Sequence, residues 1–529
     1  MRLHTRFTRV SFLSIALLLA IGTFSLLAGR ALVTGKADTN FFQKLANRLR
    51  ASGASKVNYP SGNPLTATRM ATLTVTNGND SGAGSLRQAI LDAAANDTIN
   101  FQAGVTTVAL TSASLAADKV LTIDGGTSGV TITRQAGSPV FRIFLVTADL
   151  TLNKLTVTNG DSSPGTGSVV SGGAIRVTAG SLTLTSCTFS GNTSSNNGGA
   201  VDTASSAGAL TVSDCTFTGN TCGNSGAAMN IASTGPNSIS TSTFNSNTAT
   251  GTAGALNLVA ATTVTNCTVT GNSSTGTGGA ISVTATSTFT NVTIVGNTTS
   301  AANQTAAGGV RTSTSVGTYT FNNCLIAGNT TPNGTNGSTT VQLSNFSSGG
   351  TTSSMTGSNN VIGDNTSINN SPNLANGINN NLIGTAASPL SAMVDALANN
   401  GGPTQTMALQ SGSPAINRAT SGAPTTDQRG YNRPNTADAG AFEFGGTAPV
   451  VANPAIAVSE TNAGTIANNG NFSFGTTTAG TPVTKTFTVT NSGTANLTLG
   501  SLTAPSGFTI ASNFGSSTVA PSSTTTFQI

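Results

Sequence analysis

Tryptophan is absent from this chain of 529 residues, tyrosine occurs three times, and the single histidine is His4. A chain whose body holds no histidine has neither a Ser-His-Asp triad nor a His-ligated metal. Flat carbohydrate sites lean on exposed aromatic faces. Of Tyr59, Tyr319 and Tyr431, the second sits two residues before Phe321, a spacing that turns it inward. Charge is scarce too, at 7% of residues. Between Val177 and Val310 only Asp202 and Asp214 are charged. That stretch offers no carboxylate pair for glycoside hydrolysis, and no acidic cluster to hold Ca²⁺ beside a proton acceptor for elimination. The five cysteines show no zinc spacing. Past residue 27 no apolar run approaches the length of a membrane span.

The net charge of +5 is unevenly placed. Residues 1–70 hold ten Lys/Arg and one acid, Asp38, whereas the rest holds eleven basic and fifteen acidic residues, a balance of −4. The basic surplus therefore marks the N-terminal segment and not a nucleic-acid-binding face. Arg2, Arg6 and Arg9 precede a mostly apolar run from Val10 to Leu27. That is the pattern of an export signal, with an uncleaved membrane anchor as the alternative. Residues 1–31 are read as this signal or anchor, and 32–70 as a flexible linker.

What fills the chain is a repeat. One apolar column runs Leu152, Leu184, Val212, Ile239, Val264, Phe289, Phe321, and five residues later a second runs Val157, Phe189, Phe217, Phe244, Val269, Ile294, Ile326. Spacings in the second column are 32, 28, 27, 25, 25 and 32 residues, a period that marks a solenoid. Within a unit the apolar steps alternate between two and three, as in Leu182, Leu184, Cys187, Phe189, Asn192. Steps of two belong to strands, and each step of three breaks the phase at a corner. A Gly-Gly-Ala-apolar block supplies a further strand, as at Ala200-Val201. Three short strands per coil, each beside its equivalent in the next coil, predict an all-β parallel β-helix.

Three columns are candidates for special roles. Asn192, Asn220, Asn247, Asn272, Asn297 and Asn329 are read as an inward structural ladder, with stacked amides bonding one another and the corner backbone. Gly191 and Gly219, each just before one of these Asn, suit a corner of positive φ. Cys187, Cys215, Cys267 and Cys324 share an inward column as small buried thiols. A Cys187–Cys215 disulfide stays open, and Cys222 either pairs with Cys215 or is free. The column Arg176, Asp202, Asn230, Asn257, Ser282, Arg311 is read as outward: a solvated ladder or a candidate ligand face, with Arg176 and Asp202 near enough for an exposed ion pair.

Ser85 to Asn96 reads as an amphipathic helix with Ser85 as N-cap and Leu86, Ala89, Ile90 and Ala93 on one face. It is taken as the N-terminal cap of a β-helix spanning 71–398. Residues 399–446 bring Asp427, Arg429, Arg433, Asp438 and Glu443, a charged set that pins an irregular C-terminal cap or, less simply, forms a hydrolytic pair. A linker at 447–454 precedes alternating segments over 455–529, read as a truncated antiparallel sandwich. The strand-like end Phe527-Gln528-Ile529 implies a fragment whose anchor lies further on.

The pairing of Gly-Gly-Ala-Ile (Gly172 to Ile175, Gly278 to Ile281) with Phe-x-x-Asn (Phe189 to Asn192, Phe217 to Asn220) resembles the repeats of chlamydial polymorphic outer-membrane proteins, surface β-helices of which some are adhesins. Gly84-Ser85-Leu86-Arg87-Gln88-Ala89 is similar to the CSLREA motif of exported bacterial β-helix proteins, with Gly84 for its Cys and Gln88 for its Glu. Gly401 to Thr406, Ser413 to Asn417, Asp427 to Gly430 and Asp438 to Glu443 resemble the choice-of-anchor Q region, Asn417 standing where that family commonly has Asp. Phe474-Gly475 and Val489 to Ala495 resemble choice-of-anchor D or ASH-type immunoglobulin-like domains. These resemblances imply a right-handed, pectin-lyase-like solenoid in an exported protein of the bacterial cell envelope, secreted or at the cell surface.

The expected function is a non-catalytic adhesin or structural stalk. The alternative is a polysaccharide lyase or glycoside hydrolase of the pectin-lyase-like fold acting on acidic polysaccharide. No cofactor is expected. Expected partners are a cell-surface or matrix polysaccharide or a host protein. Membrane contact is expected only through the N-terminal segment or an anchor beyond Ile529, and the oligomeric state stays open.

Overall fold

The structure is a computed structural model that describes residues 70–529, except 164–169, 302–305, 313–316, 333–340, 349–353, 365–367, 369–370, 435, 450–452, 462–463 and 469. The expected signal or anchor and most of the linker, with His4 and Tyr59, lie outside the described residues.

Residues 72–383 form a parallel β-solenoid of about 9 turns. A typical coil has strands Leu182–Thr185, Thr188–Ser190 and Val201–Thr203, together with a two-residue strand, Thr193–Ser194. Stacked coil on coil, they build sheet A (11 strands), sheet B (11), sheet C (9) and the narrow sheet D (8). Equivalent residues of successive coils pair in parallel, Leu184 with Leu152 and Val212, and Phe189 with Val157 and Phe217; the last pair of sheet D, Thr330–Pro332 with Val341–Leu343, is antiparallel. Eleven strands at the usual ~4.8 Å give sheet A a length of about 48 Å.

Alternation sets the inside. In Leu182–Thr185 the leucines are buried and the threonines face out. Inward rings stack face to face, with Phe189–Phe217 and Phe217–Phe244 centroids 4.9 and 5.0 Å apart and planes within 6°. Each such pair adds ~0.5–1.5 kcal/mol beyond its buried area. The two steps of three are single residues in the left-handed region. Between sheets B and D the corner is Gly191 (φ 60°) or Gly219 (φ 62°), where a side chain would clash with its own carbonyl. Between sheets A and B it is a non-glycine, Ser186, Asp214, Thr241, Asn266, Asn291, Asn323 or Asn359, with φ of 47–59°. Asn is the residue that best tolerates this conformation, and it fills the column from Asn266 onward.

The first turn is covered by helix Leu86–Asp92, whose N-cap Ser85 accepts from the Gln88 amide. Leu86, Ala89, Ile90 and Ala93 are buried. Lys119 Nζ donates to the carbonyls of Ile90, Leu91 and Ala93 at the helix C-terminus, where a cation is favoured. A strand unforeseen in the sequence, Thr72–Val75, precedes the helix and starts sheet A by pairing with Asp97–Phe101.

The segment expected as a C-terminal cap, 399–446, is corrected: it is a strap running back along the outside of sheet B. Thr243 Oγ1 donates to Gln405 O (2.6 Å), Thr268 Oγ1 to Gln428 Oε1 (2.7 Å), and Ala441 N to Thr293 Oγ1 (2.9 Å). Gly440 N reaches Asn323 O, and Asn359 Nδ2 reaches Ser421 O. Beneath it lies a second core in which the outward residues Val295, Leu325, Ala327 and Val361 meet Ala392, Leu409, Ala415, Ala439 and Phe442.

Residues 456–528 form a four-stranded antiparallel sheet, ordered Gly464–Ile466, Ile456–Glu460, Thr486–Asn491, Thr524–Gln528, and a two-stranded one, Leu497–Thr498 with Thr518–Val519. Phe487, Val489 and Phe527 form their core. This is consistent with an immunoglobulin-like domain.

Candidate functional site

Four groups of side chains can be weighed. The first is the Asn column. Each amide from Asn192 to Asn329 is buried. Asn220 N and Nδ2 both donate to Asn247 Oδ1 (3.0 and 2.9 Å), and Nδ2 also donates to Phe189 O at 3.0 Å. The pattern repeats from Asn192 through Asn247, Asn272 and Asn297 to Asn329, continues to Asn345, and ends on the Asp364 carboxylate. At the other end Gly160 N donates to Asn192 Oδ1. From Asn220 to Asn329 each Oδ1 accepts two bonds from the preceding rung and each Nδ2 donates to a carbonyl and to the next amide, so the ladder is satisfied within the protein. A second amide ladder, Asn291, Asn323, Asn359, Asn380, runs down the sheet A–B corner. Sequence reasoning missed it, although Asn266, Asn291, Asn323 and Asn359 stand in one column immediately before Cys267, Val292, Cys324 and Asn360.

The second group is the cysteines. All five are free and buried. Cys187 N lies 3.3 Å from Cys215 Sγ. The bond from Cys215 holds the Cys187 thiol below its ordinary value, while burial pushes Cys215 well up. Burial also raises Cys222, Cys267 and Cys324 to about 12. Cys222 packs with Ala227 and Ala249 in a separate small cluster.

The third group is the column expected as outward. Arg176, Asp202, Asn230, Asn257, Ser282 and Arg311 are successive register partners in sheet C. The solvent-facing reading is corrected: Asp202, Asn230 and Ser282 are buried, and Arg176, Asn257 and Arg311 half-buried. Their cover is the turn of small residues, Gly or Ala, before each strand. A Cβ on Gly198 would stand 2.7 Å from Asp202 Cβ, and one on Gly226 3.0 Å from Asn257 Cβ. At Gly198 and Gly226 a side chain would collide with the column, whereas Ala253 takes the equivalent place one coil on with φ 63°. Arg176 Nη1 pairs with Asp202 Oδ2, Asn230 Nδ2 donates to Asp202 Oδ1 (2.6 Å), and Asn257 Nδ2 to Asn230 Oδ1 (2.7 Å). The ion pair is therefore the buried end of a ladder and not an exposed pair. Burial lowers the pKa of both Arg176 and Arg142, the latter also through the charge of Arg176.

The fourth group is the charged set of the strap. Asp427 Oδ2 accepts from Arg429 Nε and Nη2 and from Glu443 N, while its Oδ1 accepts from Arg429 N and Tyr431 N. The Arg429 guanidinium lies between the Tyr431 and Phe442 rings, 4.1 and 3.6 Å from their centroids. Arg433 pairs with Glu443 at 2.8 Å. Asp438 accepts from Asn417 N and Phe444 N. Burial pushes the Asp438 and Glu443 carboxyls up and the Arg433 guanidinium down. Each of these carboxylates accepts hydrogen bonds that hold the turns of the strap.

The long Thr/Ser/Asn face legible in the sequence, which sequence reasoning did not assign to a sheet, includes the outer face of sheet A. Thr72, Thr98, Thr122, Thr151, Thr183, Thr211, Ser238, Thr263, Thr288, Thr320 and Thr356 are register partners, placing a hydroxyl on each of the eleven strands. Two residues on, a second rank reads Thr, Ser, Asn or, once, Asp124. The signal was present as the Thr-x-Thr or Thr-x-Asn frame around each inward apolar residue.

Among the described residues no group of three His, Cys, Asp or Glu side chains could hold a metal ion, and no helix is long and apolar enough to cross a membrane. Tyr319 is buried. Neither a known protein family nor a curated protein matches the chain.

Proposed function

We propose that the protein is a secreted or surface-displayed bacterial β-helix, acting as a non-catalytic adhesin or stalk whose contact surface is the outer face of sheet A. The observation that carries this reading is the two-rank array of hydroxyl and amide groups on that face, held on a rigid solenoid about 48 Å long. Many weak polar contacts at fixed spacing give avidity without any single deep site. The resemblance of the repeats to polymorphic outer-membrane proteins and the leader-like N-terminus support display at the cell envelope. The strap carboxylates Asp427, Asp438 and Glu443 are buried and bonded to backbone amides and arginines of their own turns, which favours the non-catalytic reading over the lyase or hydrolase alternative.

Binding of the purified full chain to intact cells and glycan arrays tests it, with retention above that of a chain carrying lysines on sheet A as the expected result. The same preparation incubated with uronate polymers should release no reducing ends or unsaturated products. Activity that is present and lost on Asp438→Ala or Asp202→Ala would replace the adhesin reading with the enzyme.

A further inference from the structure

The strap shows what a threonine rank on this solenoid can do. On sheet B the hydroxyls of Thr243, Thr268 and Thr293, one per coil, each make a 2.6–2.9 Å bond to a chain laid across them. Sheet A carries the same rank over more coils, and among the described residues no segment is laid across it. The hydroxyls of Thr183, Thr211, Ser238, Thr263 and Thr288 are outside the internal hydrogen-bond network of the described residues and face solvent.

Three features restrict the occupant of that face. First, its two ranks hold one charged residue, Asp124; a partner recognised by ion pairing is not what it complements, and ionised side chains that would keep their own hydration are almost wholly missing. Second, the ranks hold no aromatic ring, so nothing is provided for stacking against sugars. Third, the spacing is close to that of hydrogen-bonded water. Water oxygens bonded at about 2.75 Å in a tetrahedral network have second neighbours about 4.5 Å apart and a two-layer repeat of about 7.3 Å, against a rung spacing of about 4.8 Å and a two-residue step of about 6.7 Å here. The mismatch along the rod, about 0.3 Å per rung, reaches half a repeat after about seven rungs, so registry holds over patches of several rungs. Each threonine also presents a methyl beside its hydroxyl, which fills the space between bonded waters without competing for them.

We propose that the outer face of sheet A adsorbs to ice. This rests on the reading of that face as the contact surface and names the surface it contacts.

The test is partition of the full chain into slowly grown ice from dilute solution, together with growth shaping of a single ice crystal. The full chain should be enriched several-fold in the ice fraction over a globular control and should facet the crystal. Thr211→Lys with Thr263→Lys, both outward on sheet A, should abolish both effects with an unchanged circular dichroism spectrum, whereas Thr216→Lys on sheet B should leave them intact. Exclusion of the full chain from ice, or a double variant that still partitions, overturns the inference. Retention on glycans or cells without ice enrichment overturns it while the adhesin reading stands; loss of every binding signal removes both.

Discussion

Replacing Asn272 by alanine tests the ladder where it is most regular. Asn272 Oδ1 accepts from Asn247 N (3.0 Å) and Asn247 Nδ2 (2.9 Å), and its own Nδ2 donates to Phe244 O, Thr270 O and Asn297 Oδ1 at 2.9–3.0 Å. Alanine leaves the buried Asn247 N–H without an acceptor and deprives Phe244 O of a donor. One stranded buried group costs ~1–3 kcal/mol, and with the weakened second contact the expected loss is about 2–5 kcal/mol. Asn272→Asp retains the acceptor but removes the donors and buries a charge facing Asn297 Oδ1, so it should cost more than alanine. Thr263→Ala, on the solvent side of the neighbouring strand, should cost under about 0.5 kcal/mol. Because a solenoid opens coil by coil, urea unfolding should be paired with residue-resolved hydrogen exchange. Protection should fall first at Asn247 and in the coils on either side of it. A loss below about 0.5 kcal/mol for Asn272→Ala, or exchange that rises evenly along the rod, would refute the idea that the amide chain carries the corner.

Leu325→Ala, in the core beneath the strap, should cost about 2–4 kcal/mol and release the strap first. Limited proteolysis would show this as cleavage within 399–446 while the β spectrum persists, and simultaneous loss of both would count against a separable strap. Because burial raises the Asp438 and Glu443 carboxyls, the folded strap binds protons more tightly than the unfolded one. Their contribution to stability is therefore full below the ordinary carboxylate range and is lost as pH rises through the folded values. Strap protection should depend less on pH between acid and neutral in a Glu443→Gln variant than in the parent, measured by the same proteolysis across pH. The thiols of Cys222, Cys267 and Cys324, pushed to about 12, should resist alkylation at pH 8 in the native protein and react once it is denatured; rapid native labelling at these three positions would contradict their burial.

The solenoid was legible because its determinants are local and repeated. A two-residue step puts Leu182 and Leu184 inside, a third residue turns the corner, and any error at one coil is corrected by the next. The coil-to-coil register follows, since Phe189 can stack on Phe217 in only one phase. The candidate face on sheet C was misplaced for a related reason. Alternation tells which way Asp202 points from its own coil, but not that the turn at Gly198 lies over it; that depends on a glycine whose meaning is the space it leaves. The strap was harder still, because it is non-local, with Gln428 bonding Thr268 across 160 residues. Yet it left a mark in the repeat. The outward positions of sheet B are Thr188, Ser190, Thr216 and Thr218 in early coils and Val295, Leu325, Ala327 and Val361 in later ones. Exposed apolar side chains at regular intervals are costly to leave in water, so the change from hydroxyl to aliphatic along these two columns marks where the cover over the rod becomes apolar. Sheet A keeps its hydroxyl rank from Thr72 to Thr356 with no such change to aliphatic side chains, so an apolar cover like the one over Val295 and Leu325 has no counterpart there.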